Sequence, residues 1–507
     1  MPMFGEYKSL IADASGRVYD VAKRTALDAA PLASRELNNT VRLKREDEQS
    51  VFSFKLRGAY NMMAALDSGQ LAAGVITASA GNHSQGVALA ARRLKCSALI
   101  VMPKTTPEIK VAAVRRLDGE VVLHGNTYDE ASEHAAALAR ETGRTLVPPY
   151  DHPLIIAGQA TVGVEILEQH PGKPDFIFVP VGGGGLIAGI AVHVKSVDPS
   201  IRVIGVEAED AACMHAALGA GKLVTLDRVG IFADGAAVRR AGSETFRICR
   251  ELVDEVVLVD IDAICAAVKE IFQDTRSIPE PAGALAFAGL KQYVAREQVR
   301  DRELVAIFSG ANVNFDRLRH IAELAELGEH REALLCTTIP ERPGSFRRLC
   351  HDLGPRQITE FNYRYSDANR AHVFAGIQLR HGTAEKRTLL ESLKEKGYEV
   401  VDMSGNELAK MHVRYMVGGH AAGAADERLF RFEFPERSGA LLHFLTLMGD
   451  RWNISLFHYR NHGAANGRVL MGIQVPPADG GEFQEFLDQL GIEYAEETDN
   501  PAYTMFL

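Results

Sequence analysis

The sequence predicts an open, mostly parallel α/β body followed by two ferredoxin-like βαββαβ units, and three observations carry that prediction. Between about residues 70 and 310, short apolar runs (GVITAS, SALIVMP, EVVLHG, TLVPPY, DFIFVPVG, IRVIGVE, EVVLVD and ELVAIFSG) alternate with helix-like segments. Strands that alternate with helices build a parallel sheet with helices on both faces. Beyond residue 330 the chain repeats itself. IPERPGSF at 339 to 346 returns as FPERSGAL at 434 to 441, and FNYRYSD at 361 to 367 returns as FHYRNHG at 457 to 463. The offsets of 95 and 96 residues preserve the spacing inside the unit along with the motifs, so the tail is a duplicated domain. Within each copy the order is strand (LLCTTIP or LFRFEFP), helix, strand, strand (HVFAGIQLR or RVLMGIQV), helix (LLESLKEKG or FQEFLDQLG) and strand (YEVVDMS or IEYAEET). That is the ferredoxin-like order.

At 507 residues the chain exceeds the roughly 250 to 300 at which one core stops growing. We expect a front domain over residues 1–325, with a smaller subdomain at about 50–155. A helix around RLRHIAELAELGEH at 317–330 and a connection at 326–333 lead to a first repeat at 334–417. The Gly- and Ala-rich GGHAAGAADE at 418–427 suits a linker to the second repeat at 428–507.

Composition narrows the class of function. With 46% hydrophobic and 24% charged residues, and with Gly and Pro scattered, the chain is globular rather than disordered. The net charge of -10 and the absence of a long basic cluster exclude nucleic acid as the main ligand. The N-terminal segment lacks an apolar core and no apolar stretch approaches 18 residues, so neither export nor a membrane is expected, and the location implied is the cytoplasm. Cys96, Cys213, Cys249, Cys265, Cys336 and Cys350 are widely spaced without a CxxC pair. Reduced thiols fit that spacing better than disulfides or a zinc site.

In open sheets of this kind ligands sit at the carboxyl ends of strands, where the loops ASAGNHSQ, VGGGGL, GVEAED and FSGAN fall. Lys55, in SVFSFKLRGAYNMMAAL, is flanked by apolar residues and leads into an amphipathic helix. It reads either as a snorkelling surface lysine or as a Schiff-base lysine, whose amine must lose its proton and so needs desolvation. Ser79, Asn82 and His83 lie between the strand GVITAS and a helix, where free N–H groups favour an anion such as a carboxylate. A plain strand-to-helix turn with a polar cap, and a satisfied structural histidine, are the competing readings.

The run Gly182, Gly183, Gly184, Gly185 and Leu186 follows the strand FIFVPV. Four glycines are conformationally costly, and backbone that must approach a phosphate at a helix N-terminus explains them better than a tight turn does. A dinucleotide site is disfavoured because Gly183, Gly185 and Gly189 give GxGxxxG rather than GxGxxG. Ser309, in FSGAN, reads as a hydroxyl partner for a ring nitrogen or as a helix cap.

Together SFKLRGA, SAGNHSQG, GGGGL and SGAN stand in the order and approximate spacing of the fold-type II pyridoxal-phosphate enzymes, and the chain resembles their threonine and serine dehydratase branch over about residues 5 to 320. The duplicated tail resembles the paired ACT-like regulatory domains of biosynthetic threonine dehydratases. The resemblance implies pyridoxal 5'-phosphate as cofactor and Lys55 as the Schiff-base lysine and proton shuttle, with Phe54 beside the ring. It places Asn82 on the ring 3-hydroxyl, the N–H groups of Gly182, Gly183, Gly184, Gly185 and Leu186 on the phosphate, and Ser309 facing the pyridine nitrogen. Gly235 in FADGAAV and Glu280 in PEPAGA lie near the ring on the same grounds, and Ser79, Asn82 and His83 hold the substrate carboxylate.

The implied reaction is threonine ammonia-lyase chemistry: L-threonine loses water by elimination, and hydrolysis of the resulting aminocrotonate gives 2-oxobutanoate and ammonia, in isoleucine biosynthesis. Ala80 stands where serine racemases of this family carry a second serine, which argues for dehydration over racemisation. Cys213 stands where a cation-binding acid is expected after Glu207 and Asp210, so no divalent metal is expected. The paired tail implies allosteric inhibition by isoleucine, opposed by valine, and a homotetramer. Phe361, Tyr363, Arg364, Phe457, Tyr459 and Arg460 are the effector-binding candidates. A serine dehydratase, another fold-type II β-eliminating or β-replacing enzyme, and a catalytically dead amino-acid sensor are the alternatives. The last predicts damage to the lysine or glycine motifs, and none is visible.

Overall fold

The structure, a computed structural model, describes residues 2–329, 331–340, 345–354, 356, 358–363, 370–415, 425–435, 444, 447–448, 451–460 and 466–506. The chain forms two units, Met1–Ile321 and Ala322–Leu507. No helix among the described residues is long and apolar enough to cross a membrane.

The first unit contains β1 (Leu27–Ala29), β2 (Thr40–Arg45), β3 (Val75–Ala78), β4 (Ala98–Met102), β5 (Glu120–Leu123), β6 (Thr145–Leu146), β7 (Phe176–Pro180), β8 (Arg202–Ala208), β9 (Glu255–Val259) and β10 (Glu303–Phe308). They form a six-stranded sheet in the order β1-β2-β10-β7-β8-β9 and a four-stranded sheet in the order β5-β4-β3-β6. Pairing is parallel throughout except between β1 and β2. The strands VITA of β3 and ELVAIF of β10 do not alternate in polarity, because helices cover both faces of a parallel sheet and bury both sets of side chains. Ile177, Val179, Ile187, Ile190, Val203, Val305 and Ile307 belong to the core of the larger sheet. Tyr60, Met63, Val75, Val87, Ile100 and Val114 belong to that of the smaller one.

Two helices at the junction of these layers position the site. The helix Lys55–Met63, expected from its sequence as amphipathic, is buried at every residue from Leu56 to Met63. Its polar positions are inside because they have partners there. Gly58 meets Gly158 of the helix Pro153–Gln169 backbone to backbone; a Cβ on Gly158 would stand 2.7 Å from the Gly58 Cα and 2.8 Å from the Arg57 carbonyl oxygen.

Beside that crossing Arg57 spans two carboxylates. Its Nε and Nη2 donate to Glu46 at 2.7 Å each, and Nη1 and Nη2 donate to Glu165 at 2.6 and 3.1 Å. Lys44 donates to Glu165 at 2.6 Å and to the Thr25 carbonyl at 2.7 Å. All four charged side chains are fully buried. Two cations face two anions, so the cluster is neutral and ties β2, the N-terminal segment and both helices together.

The second unit contains β11 (Glu332–Pro340), β12 (Ile358–Tyr363), β13 (Arg370–Gln378), β14 (Glu399–Asp402), β15 (Glu427–Pro435), β16 (Asn453–Arg460), β17 (Asn466–Gln474) and β18 (Glu493–Glu496). Two antiparallel sheets result, β12-β13-β11-β14 and β16-β17-β15-β18. The same strand order in both, with helices Ser345–Leu353, Gly382–Glu395 and Gly480–Leu490, is the ferredoxin-like arrangement the repeat predicted. Even the irregularity is duplicated: the register shifts at Ile358/Glu360 and again at Ile454/Leu456. Most of the helix expected after ERSG, and most of GGHAAGAADE, lie outside the described residues.

The helix joining the halves runs from Arg317 to Gly328, and β11 opens at Glu332. The Glu329 N–H still bonds the Ala325 carbonyl at 3.0 Å, so the helical pattern runs into the stretch expected as the connection. Phe361 and Tyr363 fall on β12 opposite Ala375 and Val373, and Phe457, Tyr459 and Arg460 fall on β16 opposite Met471, Val469 and Arg468. Arg364 lies outside the described residues.

Candidate active site

Lys55 is the first residue of its helix, and the chain just before it is stitched to the end of β10. Ser53 bridges to Gly310, and the Phe54 N–H donates to the Ser309 carbonyl at 3.2 Å. The Lys55 Nζ donates to the Pro149 carbonyl at 3.0 Å and lies 5.4 Å from the centre of the Phe54 ring. Burial lowers its pKa to about 8, only partly opposed by the Glu280 carboxylate. A positive charge at a helix N-terminus also meets the unfavourable end of the dipole. A much larger fraction of the amine is therefore neutral and nucleophilic near physiological pH than for an ordinary lysine, and its burial disposes of the surface-lysine reading.

Tyr150, next in chain to Pro149, carries the site across to the glycine run. A Cβ on Gly183 would stand 2.3 Å from the Tyr150 ring, and one on Gly185 would meet the Tyr150 backbone at 3.1 Å. Gly184, at φ 96, caps the helix Gly185–Val197 in the left-handed region that side chains disfavour. The loop's carbonyls are turned to other donors: Thr245 Oγ1 and the Gly242 N–H reach Gly183 at 2.6 and 3.2 Å, and Cys213 Sγ reaches Gly182 at 3.5 Å. Among the described residues no side chain caps the helix start, so its first N–H groups present a cradle for an anion. The neighbouring helix Ser243–Leu252 contrasts with it, because Asp151 already accepts from the N–H groups of Ser243 and Glu244 at 2.8 and 2.9 Å. The Leu186 side chain packs into the larger core, which leaves only its N–H for the loop.

Asn82, Glu280, Gly235 and Asn312 come together although they are spread over 231 residues of sequence. Asn82 Nδ2 donates to Glu280 Oε1 at 2.5 Å, and Asn312 Nδ2 donates to Asn82 Oδ1 at 2.7 Å. A Cβ on Gly235 would meet Ala282 Cβ at 3.0 Å, Glu280 Oε1 at 3.5 Å and Asn82 Nδ2 at 3.6 Å. Burial, then the Asp234 charge, raises the Glu280 pKa to about 7.

His83 is brought to the site, but its ring is committed elsewhere. Its Nε2 lies 3.0 Å from the Val147 carbonyl, which can only accept, and burial, then the Lys55 charge, pushes its pKa down to about 3. The ring is neutral and structural, so what His83 can offer a carboxylate is its N–H. The helix Asn82–Leu94 opens on Gly81 without a side-chain cap. Ser79 Oγ accepts from the Gly81 N–H at 3.3 Å. Ser309, 3% exposed, donates to the Ala282 carbonyl over a long 3.3 Å, so its hydroxyl is free to turn toward a better partner.

The sequence did not single out Pro149, Tyr150, Thr245 or Asn312. Usable signals existed for Asn312, which ends the motif FSGAN, and for Pro149 and Tyr150, which stand in PPYDHP just past a strand end.

A buried amine, an uncapped glycine cradle and a hydroxyl at a strand end fit a phosphorylated aldehyde cofactor. A sequence profile described as pyridoxal-phosphate dependent enzyme matches residues 18–310. The profile for the C-terminal regulatory domain of threonine dehydratase matches twice, at 323–413 and 418–507. The biosynthetic L-threonine dehydratase IlvA of Burkholderia multivorans is 55% identical over 496 residues, 97% of this chain and 98% of that protein. The chain belongs to the biosynthetic threonine dehydratase family. Within the family, IlvA of Escherichia coli strain K12 is 54% identical over 490 residues, 97% of this chain and 95% of that protein. Among solved structures, the processed form of threonine deaminase isoform 2 from Solanum lycopersicum is similar with a TM-score of 0.62 at 49% identity, over 63% of this chain and 94% of that one. The fold-type II body, the regulatory tail and the dependence on pyridoxal phosphate are thereby those of the family.

Proposed function

We propose that this chain eliminates water from L-threonine to give an enamine whose hydrolysis, taking a water back up, yields 2-oxobutanoate and ammonia, with Lys55 as both cofactor anchor and proton carrier. The observation that carries the reading is the Lys55 amine, held by a single backbone carbonyl beside the glycine cradle with its pKa lowered to about 8. When bound, the cofactor supplies an electron sink for the charge that develops at the substrate Cα. Lys55 takes the Cα proton, since a neutral amine beside the reacting carbon is a competent base. The N–H groups of Gly182, Gly183, Gly184, Gly185 and Leu186 would hold the phosphate, and Phe54, Asn82, Gly235, Glu280 and Ser309 would surround the ring. Ser309 would offer the ring nitrogen a neutral hydroxyl, a partner that does not require that nitrogen to stay protonated. Ser79, Asn82 and His83 orient the substrate carboxylate, His83 through its backbone.

The duplicated regulatory profile supports control by isoleucine at the ACT-like pair, opposed by valine, with Phe361, Tyr363, Arg364, Phe457, Tyr459 and Arg460 as effector contacts. The assembly is a cytoplasmic homotetramer on this reading. The domains run over 1–325, 334–417 and 428–507.

The decisive assay is keto-acid production from threonine and serine side by side. Threonine should be preferred in kcat/KM, and a preference for serine would favour the serine dehydratase reading instead. Added isoleucine should shift the threonine saturation curve. A protein with no cofactor absorbance and no turnover would be a sensor.

A pH dependence follows from the lowered pKa of Lys55. The nucleophilic form of an amine is the neutral one, so it predominates above the folded-state pKa. Loading of apoprotein with pyridoxal phosphate should accelerate as pH rises through about 8 rather than near the ordinary lysine value of 10.5. Stopped-flow absorbance measures this, and an inflection near the ordinary value would contradict the assigned environment.

A further inference from the structure

Outside the cradle, one cluster joins the site to the helix that leads out of the first unit. Asp234 directly precedes Gly235, and its carboxylate receives cations from two different elements. Lys110 Nζ, on the helix Glu108–Arg115 of the smaller subdomain, lies 2.5 Å away, and Arg317 Nη1, on the first residue of the helix Arg317–Gly328, lies 3.5 Å away. Arg317 grips the same loop a second time. Its Nη2 donates to the Phe232 carbonyl at 2.5 Å, and its guanidinium carbon lies 5.2 Å from the Phe232 ring centre. His320, one turn along, meets that ring edge-on at 5.9 Å. Arg317 is only 5% exposed, so its fork is a built contact rather than a loose surface pair.

The loop cannot move at Asp234 without moving Gly235, because neighbouring Cα atoms are held about 3.8 Å apart. Gly235 has little clearance: a methyl group there would already touch Ala282, Glu280 and Asn82. The helix that starts at Arg317 continues past Ile321, where the first unit ends, into the residues of the second. A continuous helix transmits a displacement of its last turns to its first.

We propose that Arg317 is a positioning residue that carries regulation to the active site by holding the 232–235 loop through Asp234 and the Phe232 carbonyl. With the grip closed, Gly235 is seated against Glu280 and Asn82, and the Lys110 helix is tied to the same loop. With the first turn displaced, the loop is released and the threonine-binding state is weakened. Coupling of this kind requires the effector to prefer one of the two arrangements. The proposal rests on the isoleucine control stated under the proposed function.

The test uses the full-length holoenzyme and Arg317→Met, with Arg317→Lys as the conservative variant. Isoleucine binding is measured by calorimetry, and threonine saturation is recorded with and without isoleucine. Wild type should show a shift in half-saturating threonine within the roughly 5- to 150-fold range typical of allosteric coupling. Arg317→Met should bind isoleucine within about 3-fold of wild type and keep kcat within about 3-fold, while its shift falls below about 2-fold. Arg317→Lys, with a point charge in place of the fork, should recover part of the shift. An Arg317→Met protein with the full wild-type shift overturns the proposal, as does one that has lost isoleucine binding itself. A wild type that binds no isoleucine overturns the control reading instead, and the calorimetry tells the two failures apart.

Discussion

Lys55→Ala is expected to lower threonine turnover by at least about a thousandfold and to abolish the visible absorbance of the bound cofactor, while the fold survives. Positioned proton transfer alone contributes roughly 10²- to 10⁴-fold, and Lys55 is also the anchoring nucleophile on the proposed reading. The structural penalty is small by comparison. The amine makes one hydrogen bond, to the Pro149 carbonyl at 3.0 Å, so alanine strands a single acceptor at about 1 to 3 kcal/mol. Lys55→Arg should be equally inactive, because a guanidinium keeps its proton and cannot attack an aldehyde. Keto-acid assays, an absorbance scan and circular dichroism check the three statements together. A Lys55→Ala protein that retained the cofactor band and turned over threonine would remove Lys55 from the chemistry.

Arg57→Met should destabilise the first unit by about 3 to 5 kcal/mol, the largest stability loss we expect from one substitution at the site's foundation. Arg57 makes two-pronged contacts with both Glu46 and Glu165, and all three side chains are fully buried. Without it Lys44 is left facing two carboxylates in a low-dielectric interior. Methionine matches the volume but offers neither charge nor donors, so the loss is electrostatic rather than a cavity effect. The sign with pH is defined as well. Despite burial, Arg57 and Lys44 hold Glu46 below its ordinary value of 4.5, so the stability it contributes is present above that value and is lost as pH falls through the lower folded-state pKa. Denaturant unfolding of wild type and variant at neutral and acid pH is the measurement. Equal midpoints at neutral pH would show that the cluster contributes nothing net.

The consequence reaches catalysis because Arg57 stands two residues beyond Lys55 on one helix. Helix geometry turns the two side chains to different sides, the amine toward Pro149 and the fork toward Glu165. The ion cluster and the Gly58–Gly158 contact therefore set where the first turn of that helix lies.

Loops that end strands were legible because their chemistry is local. The glycines of GGGGL, the small residues of SAGNHSQG and the serine of FSGAN each advertise backbone that must come close to something. The duplicated tail was legible because repetition at a fixed spacing needs no knowledge of the fold, and the structure carries the copy down to matching register shifts. The helix after Lys55 misled for the opposite reason. Arg57 and Asn61 look like a polar face in sequence, and only the arrival of Glu46, Glu165 and the Leu154 carbonyl makes those positions interior. His83 stands in SAGNHSQG, a loop the sequence offered to an anion, but its ring belongs to Val147, a partner 64 residues away.

By itself the sequence determined the fold class, the repeated tail, and the set of strand-end loops that hold Asn82, the glycine run and Ser309. These follow from periodicity and from residue types whose constraints act within a few positions. Tertiary structure alone decided that Lys55 is an amine with its pKa lowered to about 8, that Pro149 and Tyr150 bind it to the glycine cradle, and that Arg317 and Lys110 meet on Asp234. Desolvation and charge pairing depend on what surrounds a group in space, and residues far apart in the chain supply those surroundings.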